Sequence, residues 1–318
     1  MQPLNDPSGN SASGTFGWVG MSVLAAAMGF YITQLLYTAS RAAEDCGVRD
    51  LEHQKDVASV YDDTADSFDS EVGVSERLMG LLGVRKTLSQ QCRGHVLEVS
   101  CGTGRNIGYY DLSPASAIDS LTFIDLSAQM VDVCKKKWQT HYPSSATSGS
   151  KAFKPGLSIR FSTCSALDAM PPAPNGGSKG GKYDTIIQTM GICSTPSPHQ
   201  LIRNMTAHLD MTNPDSRILL LEHGRSDYAW LNNILDSSGQ KHAEIHGCWY
   251  NRDIGAIVRS VADETGLEVV AEKRRHLGTT WIYELRPSGK KVVAPAAADA
   301  AAVEASKGSS WRGWFSLK

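Results

Sequence analysis

Short apolar runs alternate with longer amphipathic stretches along most of the chain after residue 50. Near-continuous apolar runs are typical of strands that are buried on both faces of a sheet. The alternation predicts the α/β class, with a doubly wound, mainly parallel sheet of seven strands whose last two strands pair antiparallel. The predicted strands cover residues 95–99, 121–125, 157–162, 183–188, 217–221, 267–273 and 279–285. The predicted helices lie within residues 51–92, directly after Gly104, from Ser127 to about Trp138, over 198–209 and over 252–265.

One apolar run is much longer than the others. The segment Phe16–Tyr37 is mostly apolar, and no charged residue occurs between Asp6 and Arg41. A stretch of about 20 apolar residues is long enough to cross the hydrocarbon core of a bilayer as a helix. A cleaved signal peptide and a buried helix are the alternatives, but a signal peptide carries a basic start, which is absent here. We therefore predict a retained single-pass transmembrane anchor.

Basic residues follow the apolar segment, beginning with Arg41 and Arg49, and no Lys or Arg precedes it. By the positive-inside rule, the larger C-terminal part is expected to face the cytosol or the mitochondrial matrix. The chain is predicted to contain a polar N-terminus over 1–14, the anchor over 15–40, an α/β domain over 50–287 and a flexible tail, rich in Ala, Ser and Lys, over 288–318.

Composition excludes several classes of function. The 318 residues include 31 basic and 33 acidic side chains, a net charge of −2 that gives no electrostatic footprint for nucleic acid. The seven cysteines are scattered and contain no CxxC pair, which favours a reducing compartment over a disulfide framework. His242 and His246 are spaced as a possible metal pair, but the segment is not HExxH and only Cys248 offers a third ligand. No metal site is predicted.

Residues 97–106, LEVSCGTGRN, carry the most specific chemical signal. A strand runs through Glu98 into a tight turn with Gly102 and Gly104, where backbone N–H groups can approach a ligand closely. The next strand ends in Asp125. A glycine turn after one strand and a carboxylate at the end of the next are typical of a nucleoside-binding α/β sheet. We therefore predict a cofactor that contains ribose.

Two cofactor classes fit this layout unequally. The dinucleotide fingerprint GxGxxG, started at Gly102, would need glycine at the sixth position, where Ile107 stands. A nicotinamide-dependent reductase is therefore the weaker interpretation. The segment from Glu98 to Gly104 instead resembles the first motif of class I S-adenosylmethionine-dependent methyltransferases, an acid followed by GxGxG, with Ser100 in place of the first glycine.

That resemblance implies a role for each neighbouring segment. The turn would cradle the methionine end of S-adenosyl-L-methionine, and Asp125 would bind the ribose hydroxyls. Asp168 would accept from the adenine amino group, and the segment from Gln188 to Cys193 matches the one beside the sulfonium. The implied cofactor-binding residues are Tyr61, Glu98, Ser100, Cys101, Gly102, Gly104, Asn106, Asp125, Leu126, Ala166, Leu167, Asp168, Gln188 and Thr189.

Further motifs narrow the resemblance. Residues 60–69 resemble the YDxxAxxYD helix that covers the cofactor in ubiquinone-type methyltransferases. Residues 221–224, Asp236 and residues 246–253 resemble the LEH…D…DGCxxTR block of membrane-anchored methyltransferase-like proteins, which include small-thiol S-methyltransferases and Oms-type mitochondrial proteins. The similarity covers about residues 55–287. It implies the mitochondrial inner membrane, with the endoplasmic reticulum as the alternative.

Methyl transfer from a sulfonium needs a general base only if the acceptor arrives protonated. His223 and His246 are the candidates, and a hydrogen-bonded structural histidine is the alternative for each. The combined prediction is a methyltransferase, anchored to a membrane through Phe16–Tyr37, that methylates a lipophilic or thiol small molecule. A catalytically silent assembly factor, which Ser100 in the glycine turn favours, and an NAD(P)-dependent reductase are the alternatives. The sequence identifies no protein partner.

Overall fold

The computed structural model describes residue 56 and residues 59–143, 153–174 and 180–289. The predicted anchor, the polar N-terminus and all but the first two residues of the predicted tail lie outside these ranges. Within the described ranges, no helix combines the length and the hydropathy that crossing a bilayer requires.

A seven-stranded mixed sheet forms the centre of the domain, with strand order β3-β2-β1-β4-β5-β7-β6. Strands β1 to β5 run parallel, and β7 pairs antiparallel with both β5 and β6. This arrangement confirms the predicted sheet and its antiparallel end. The strands are β1 Gly94–Val99, β2 Ile118–Asp125, β3 Ser158–Thr163, β4 Thr185–Thr189, β5 Arg217–His223, β6 Leu267–Arg275 and β7 Thr280–Pro287.

Helices surround the sheet within the described ranges. They are α1 Val60–Thr64, α2 Phe68–Leu78, α3 Leu81–Ser89, α4 Ala128–His141, α5 Pro198–His208, α6 Ala229–His246 and α7 Ile254–Thr265. The side chain of Ser127 caps α4 by accepting from the N–H of Met130, and Gly266 ends α7 in the left-handed conformation, as predicted.

Two predictions about helices are wrong or incomplete. The helix expected after Gly104 is only a 3₁₀ turn over Ile107–Tyr109. Gly104 has φ 76°, outside the right-handed helical region, and the side chain of Ile107 packs so closely on it that an added Cβ would lie 2.4 Å from Cδ1 of Ile107. Helix α6 was not predicted, since only Gly239 and Ala243 are buried along its length and the apolar periodicity is therefore weak.

Apolar side chains pack on both faces of the sheet. Along β1, Val96 belongs to one apolar cluster and Leu97 to the other, as the alternation of side chains along a strand requires. Helices α5 and α7 pack with the Leu97 cluster, and α3 and α4 pack with the Val96 cluster. The sheet is thus covered on both sides, and its strand ends are left to carry a site.

Candidate functional site

A cavity of about 590 Å³ opens at the carboxyl ends of the parallel strands. Strand β1 lies between β2 and β4, so the order of the chain reverses at this point in the sheet. Such a switch point leaves a crevice between the loops, and ligands of open α/β sheets bind there. The turn after β1, the end of β2, the loops after β3 and β4, helices α1 and α2, and the end of α6 line the cavity.

The turn after β1 is built from residues in the left-handed region. Ser100 has φ 52°, Gly102 has φ 53° and Gly104 has φ 76°. The position of Ser100 is the one where the resembling family has glycine, so the serine keeps the turn at a conformational cost of about 1 kcal/mol. An added Cβ on Gly102 would meet nothing within 4 Å. Gly102 therefore exposes its backbone, whereas Gly104 is required for packing.

The carboxylate of Asp125 is fixed by backbone donors. The N–H of Gly102 donates to Oδ2 at 2.8 Å, and the N–H of Ser127 donates to Oδ1 at 3.0 Å. Burial raises the pKa of Asp125, and these backbone hydrogen bonds oppose the rise. A carboxylate has about four acceptor sites, so acceptor capacity for a ligand remains beside the backbone donors Gly102, Ser127 and Leu126. The turn and the acid are thus joined at one wall of the cavity.

Glu98 lies behind this turn and does not line the cavity. Asn106 donates to its Oε1 at 3.0 Å, and the hydroxyl of Tyr110 donates to its Oε2 at 2.5 Å. Burial raises the pKa of Glu98 to about 7. Glu98 and Asn106 therefore stabilise the turn from the side that faces away from the cavity. The resemblance had implied that both residues contact the cofactor directly.

A buried ion-pair network ties helix α2 to the turn. Arg85 contacts Glu76 at 2.8 Å, and Arg105 contacts the same carboxylate at 2.7 Å. Asp69 accepts from the hydroxyl of Thr103 at 2.7 Å and from Arg105 at 2.9 Å. These charge-assisted bonds hold the helix over the glycine turn.

One member of this network was indicated by the sequence, and only indirectly. Asp69 is the second acid of the YDxxAxxYD-like segment, and Lys137 of α4 also pairs with it. Arg85 carries no sequence signal, because its acceptors besides Glu76 are Asn106 at 3.1 Å and Thr189 at 2.7 Å, both distant along the chain.

The side chain of Tyr61 links helix α1 to the opposite side of the cavity through hydrogen bonds. Its hydroxyl donates to the carbonyl oxygen of Gly247 at 3.0 Å and lies 2.7 Å from the hydroxyl of Ser194. Its ring packs edge-on against Phe68 at a centroid distance of 6.0 Å. The first helix therefore touches both the loop after β4 and the end of α6, and it closes one side of the cavity.

The two predicted bases occupy a different part of the wall. His223 ends β5, and desolvation lowers its pKa to about 4, so that it is neutral at pH 7. Its Nδ1 lies 4.0 Å from the sulfur of Cys248. His246 packs against His242 at a centroid distance of 4.7 Å. Among the described residues, no group of three metal-ligating side chains converges on one point.

Two further predicted residues lie off the cavity. Asp168 is exposed after β3, and its carbonyl oxygen accepts from Asn204 at 2.5 Å. Gln188 is fully buried, and in the amide orientation that satisfies its neighbours it donates to Glu222 at 3.0 Å. The cavity is lined by the predicted residues Tyr61, Ser100, Cys101, Gly102, Asp125, Leu126, Ala166, Leu167, Thr189, His223 and His246. Glu98, Gly104, Asn106, Asp168 and Gln188 lie outside its wall.

The fold and the site define a class of protein. Residues 76–272 match the family model described as a methyltransferase domain. The chain therefore belongs to the methyltransferase-domain family, which confirms the family resemblance seen in the sequence.

A curated relative is similar to most of this chain. It is "Methyltransferase OMS1, mitochondrial" of Saccharomyces cerevisiae, 37% identical over 235 residues. The match covers 74% of this chain and 47% of the yeast protein, so the chain spans about half the length of that relative.

Solved structures include more distant neighbours. Magnesium protoporphyrin IX methyltransferase (ChlM) from Synechocystis PCC 6803 with bound SAH is 15% identical, with a TM-score of 0.43 over 72% of this chain and 84% of that one. An O-methyltransferase family protein from Burkholderia thailandensis is 16% identical, with a TM-score of 0.46 over 71% of this chain and 60% of that one. The family assignment rests on the domain match.

Proposed function

We propose that this protein is an S-adenosylmethionine-dependent methyltransferase that is anchored to a membrane and methylates a lipophilic or thiol small molecule. The observation that carries the proposal is the junction of Asp125 with the glycine turn. The N–H of Gly102 holds the carboxylate at 2.8 Å, and both line one cavity at the ends of adjacent strands.

The residues present fit S-adenosyl-L-methionine. The open backbone at Gly102 suits the methionine end, and the acceptor oxygens of Asp125 suit two ribose hydroxyls. Ala166 and Leu167 line the wall after β3 and suit an adenine ring. Because Asp168 is exposed outside this wall, we assign adenine contact to Ala166 and Leu167 rather than to the Asp168 carboxylate.

The bound cofactor supplies a methyl group that its sulfonium already activates. The task of the chain is to hold the acceptor in line with that methyl group and to exclude water. Tyr61 and Phe68 cover the cavity from helices α1 and α2. His223 lines the cavity and is neutral at pH 7, so its imidazole can accept a hydrogen bond from an acceptor that arrives protonated, but its lowered pKa makes it a weak base.

The acceptor class is supported by the remaining wall. Met79, Leu81 and Ile245 contribute apolar surface to the cavity. The exposed aromatic rings of Tyr228 and Trp230 follow the end of β5, on the same edge of the sheet as the cavity. Such rings favour the interface between water and a bilayer. Together with the predicted anchor, they support an acceptor that is delivered by a membrane.

The mitochondrion is the proposed location. The yeast relative, which is 37% identical to this chain, is named as a mitochondrial protein. The predicted orientation then directs the domain to the matrix side of the inner membrane. Location of a tagged full-length chain by protease protection in isolated mitochondria tests this proposal, and a signal in the endoplasmic reticulum would replace it with the alternative.

Calorimetric titration of the full-length chain in detergent micelles tests the cofactor. S-adenosylhomocysteine should bind in the micromolar range, and NADH should not bind. Binding of NADH, or no binding of S-adenosylhomocysteine at millimolar concentration with an intact circular dichroism spectrum, would overturn the proposal. Transfer of a labelled methyl group to extracted lipids or to a panel of thiols separates an enzyme from a silent assembly factor, which would bind the cofactor product without turnover.

A further inference from the structure

Two cysteines meet on the wall of the cavity without being bonded to each other. Cys193 follows β4 and Cys248 follows α6, and both line the cavity with free thiols. The N–H of Trp249 donates to the carbonyl oxygen of Cys193 at 2.9 Å, so the two backbones are joined next to the side chains. The thiols themselves are close enough to form a hydrogen bond.

The surroundings of this pair favour a thiolate. The guanidinium of Arg252, only 2% exposed, donates to the carbonyl oxygen of Ile192 and lies within the electrostatic reach of both thiols. The hydrogen bond with Cys248, and then Ser194 and Arg252, lower the pKa of Cys193 against the opposing effect of burial. The same pairing, burial and the neighbouring Glu222 raise the pKa of Cys248. A thiolate beside a cation is the reactive form of cysteine.

A second thiol pair provides an internal contrast. Cys101 of the glycine turn contacts Cys134 of α4, but Cys134 is fully buried and does not line the cavity. The groups that act on Cys101 are Cys134, Asp125 and Glu98, all of which raise its pKa together with burial. Both pairs bring two thiols close together. Only for Cys193 and Cys248 do both residues line the cavity with a guanidinium nearby.

We propose that Cys193 and Cys248 form a reversible disulfide, and that the cavity is the route by which an oxidant reaches them. The oxidant is a hydroperoxide. The thiolate of Cys193 attacks one peroxide oxygen, the O–O bond breaks, and with hydrogen peroxide the departing hydroxide takes up a proton as water. The thiol of Cys248 then attacks the sulfenic sulfur of Cys193, and a second water leaves. Two thiols are oxidised, one peroxide is reduced, and the reaction is reversed by a dithiol reductant.

Such a bond would join the loop after β4 to the segment after α6. Ser194, next to Cys193, and Gly247, next to Cys248, are the two partners of the Tyr61 hydroxyl. Oxidation therefore changes the part of the wall that forms the hydrogen bonds with Tyr61 of helix α1. The wall formed by Cys193, His223 and Cys248 would be reshaped, while Asp125 and the glycine turn keep their own hydrogen bonds.

Differential alkylation of the full-length chain tests the proposal. The reduced protein is treated with hydrogen peroxide, free thiols are blocked, and tryptic peptides are analysed without reduction. A cross-linked pair containing residues 183–203 and 242–252 should appear, lighter by two hydrogen atoms than the sum of its parts, and dithiothreitol should release it. Alkylation of Cys193 and Cys248 as free thiols after peroxide treatment, or separate oxidation to sulfinic acids, would overturn the proposal.

Matched variants isolate the pair. In Cys101→Ser the same cross-link should form at an unchanged rate, because the Cys101–Cys134 pair takes no part. In Arg252→Met the rate of cross-linking should fall at least tenfold, since the cation beside the thiolate is lost. If Arg252→Met does not fold, the peptide map of the wild-type chain decides alone. Preferential linkage of Cys101 to Cys134 would refute the assignment.

Discussion

The two ends of the cavity are stabilised by different forces. At the glycine-turn end, ionised side chains on α2, α3 and the turn form a continuous network around Glu76. At the other end, the wall consists of Cys193, His223 and Cys248, and the imidazole of His223 is neutral at pH 7 because of burial. The first arrangement holds a fixed shape, which suits a cofactor that is always the same. The second consists of a neutral imidazole and two thiols beside the guanidinium of Arg252, and we expect changes in these side chains to alter the acceptor more than the cofactor.

The largest effect is expected at the centre of the charged end. Glu76→Gln leaves the buried guanidinium of Arg85 without its ionic partner and should lower the free energy of unfolding by about 4 kcal/mol. Glu264→Gln is the matched control, because its pair with Arg203 is exposed and should cost about 0.5 kcal/mol. Urea denaturation of the full-length chain measures both. Equal small losses would mean that the network does not hold this end.

The next effect concerns cofactor affinity. Asp125→Ala removes acceptors for two ribose hydroxyls and should weaken the binding of S-adenosylhomocysteine about 100-fold, since each bond to a charged group contributes about 1.5 kcal/mol. Asp119→Asn, on the same strand but paired with Lys154 at its other end, should leave affinity unchanged. Calorimetric titration compares the two variants. Retained binding in Asp125→Ala would remove the observation on which the proposed function depends.

The two ends should also respond oppositely to pH. Glu98 has a folded pKa of about 7 against 4.5 in a free chain, so between these values the folded state holds an extra proton and stability falls as the pH rises. His223 has a folded pKa of about 4 against 6.5, so the unfolded state holds the extra proton and stability rises with pH. From pH 4.5 to 6.5 the two slopes, each at most about 1.4 kcal/mol per pH unit, oppose each other.

Single substitutions measure how much Glu98 and His223 each contribute to the change of unfolding free energy with pH. Glu98→Gln should make stability rise more steeply with pH across this window, and His223→Gln should make it fall more steeply. Urea denaturation at half-unit pH intervals gives the slopes relative to the wild-type chain. A slope that is the same in His223→Gln and in the wild-type protein would show that this imidazole is protonated in the folded state.

The sequence predicts the glycine-turn end of the cavity better than the end formed by Cys193, His223 and Cys248, because the features of the turn are local in sequence. Ser100, Gly102 and Asp125 were predictable because a tight turn and a strand-terminal acid are local features. Arg85 was not predictable, since its contact with Thr189 joins residues 104 positions apart. Likewise, Glu98 is adjacent to the turn in sequence, but the direction of its side chain depends on Tyr110 and Asn106.

The same limit applies to whole elements. All seven strands were predicted, because β1, β4 and β5 contain short apolar runs that are buried on two faces and β7 alternates between buried and less buried positions. Helix α6 buries little, and its pattern carries no strong period, yet its end supplies His242, Ile245 and His246 to the cavity. Elements with weak burial can therefore reach the cavity without a periodic pattern that predicts the helix itself, although His246 was a candidate from the sequence. The acceptor is for this reason the least predictable part of the function.

The smallest expected effect is that of Ser100→Gly on the free energy of unfolding. This substitution tests whether Ser100 leaves the glycine turn able to bind the cofactor. Ser100 stands in the left-handed region, at a cost of about 1 kcal/mol. Ser100→Gly removes this cost. It also raises the conformational entropy of the unfolded chain, which stabilises the unfolded state by about 0.4–1 kcal/mol. The net gain in unfolding free energy should be below 1 kcal/mol. Ser75→Gly in helix α2 should instead lose about 0.5 kcal/mol, the difference between the helix propensities of serine and glycine.

Affinity then separates the two interpretations of this serine. If Ser100 only fills the position of a glycine, the Ser100→Gly variant should bind S-adenosylhomocysteine within about twofold of the wild-type chain, because the backbone N–H groups of the turn keep their directions. A gain of tenfold or more in calorimetric titration would mean that the serine impairs the turn, and would favour a silent assembly factor. The hydrogen bond from Gly102 to Asp125 at 2.8 Å indicates a turn that is already formed, so we expect the small change.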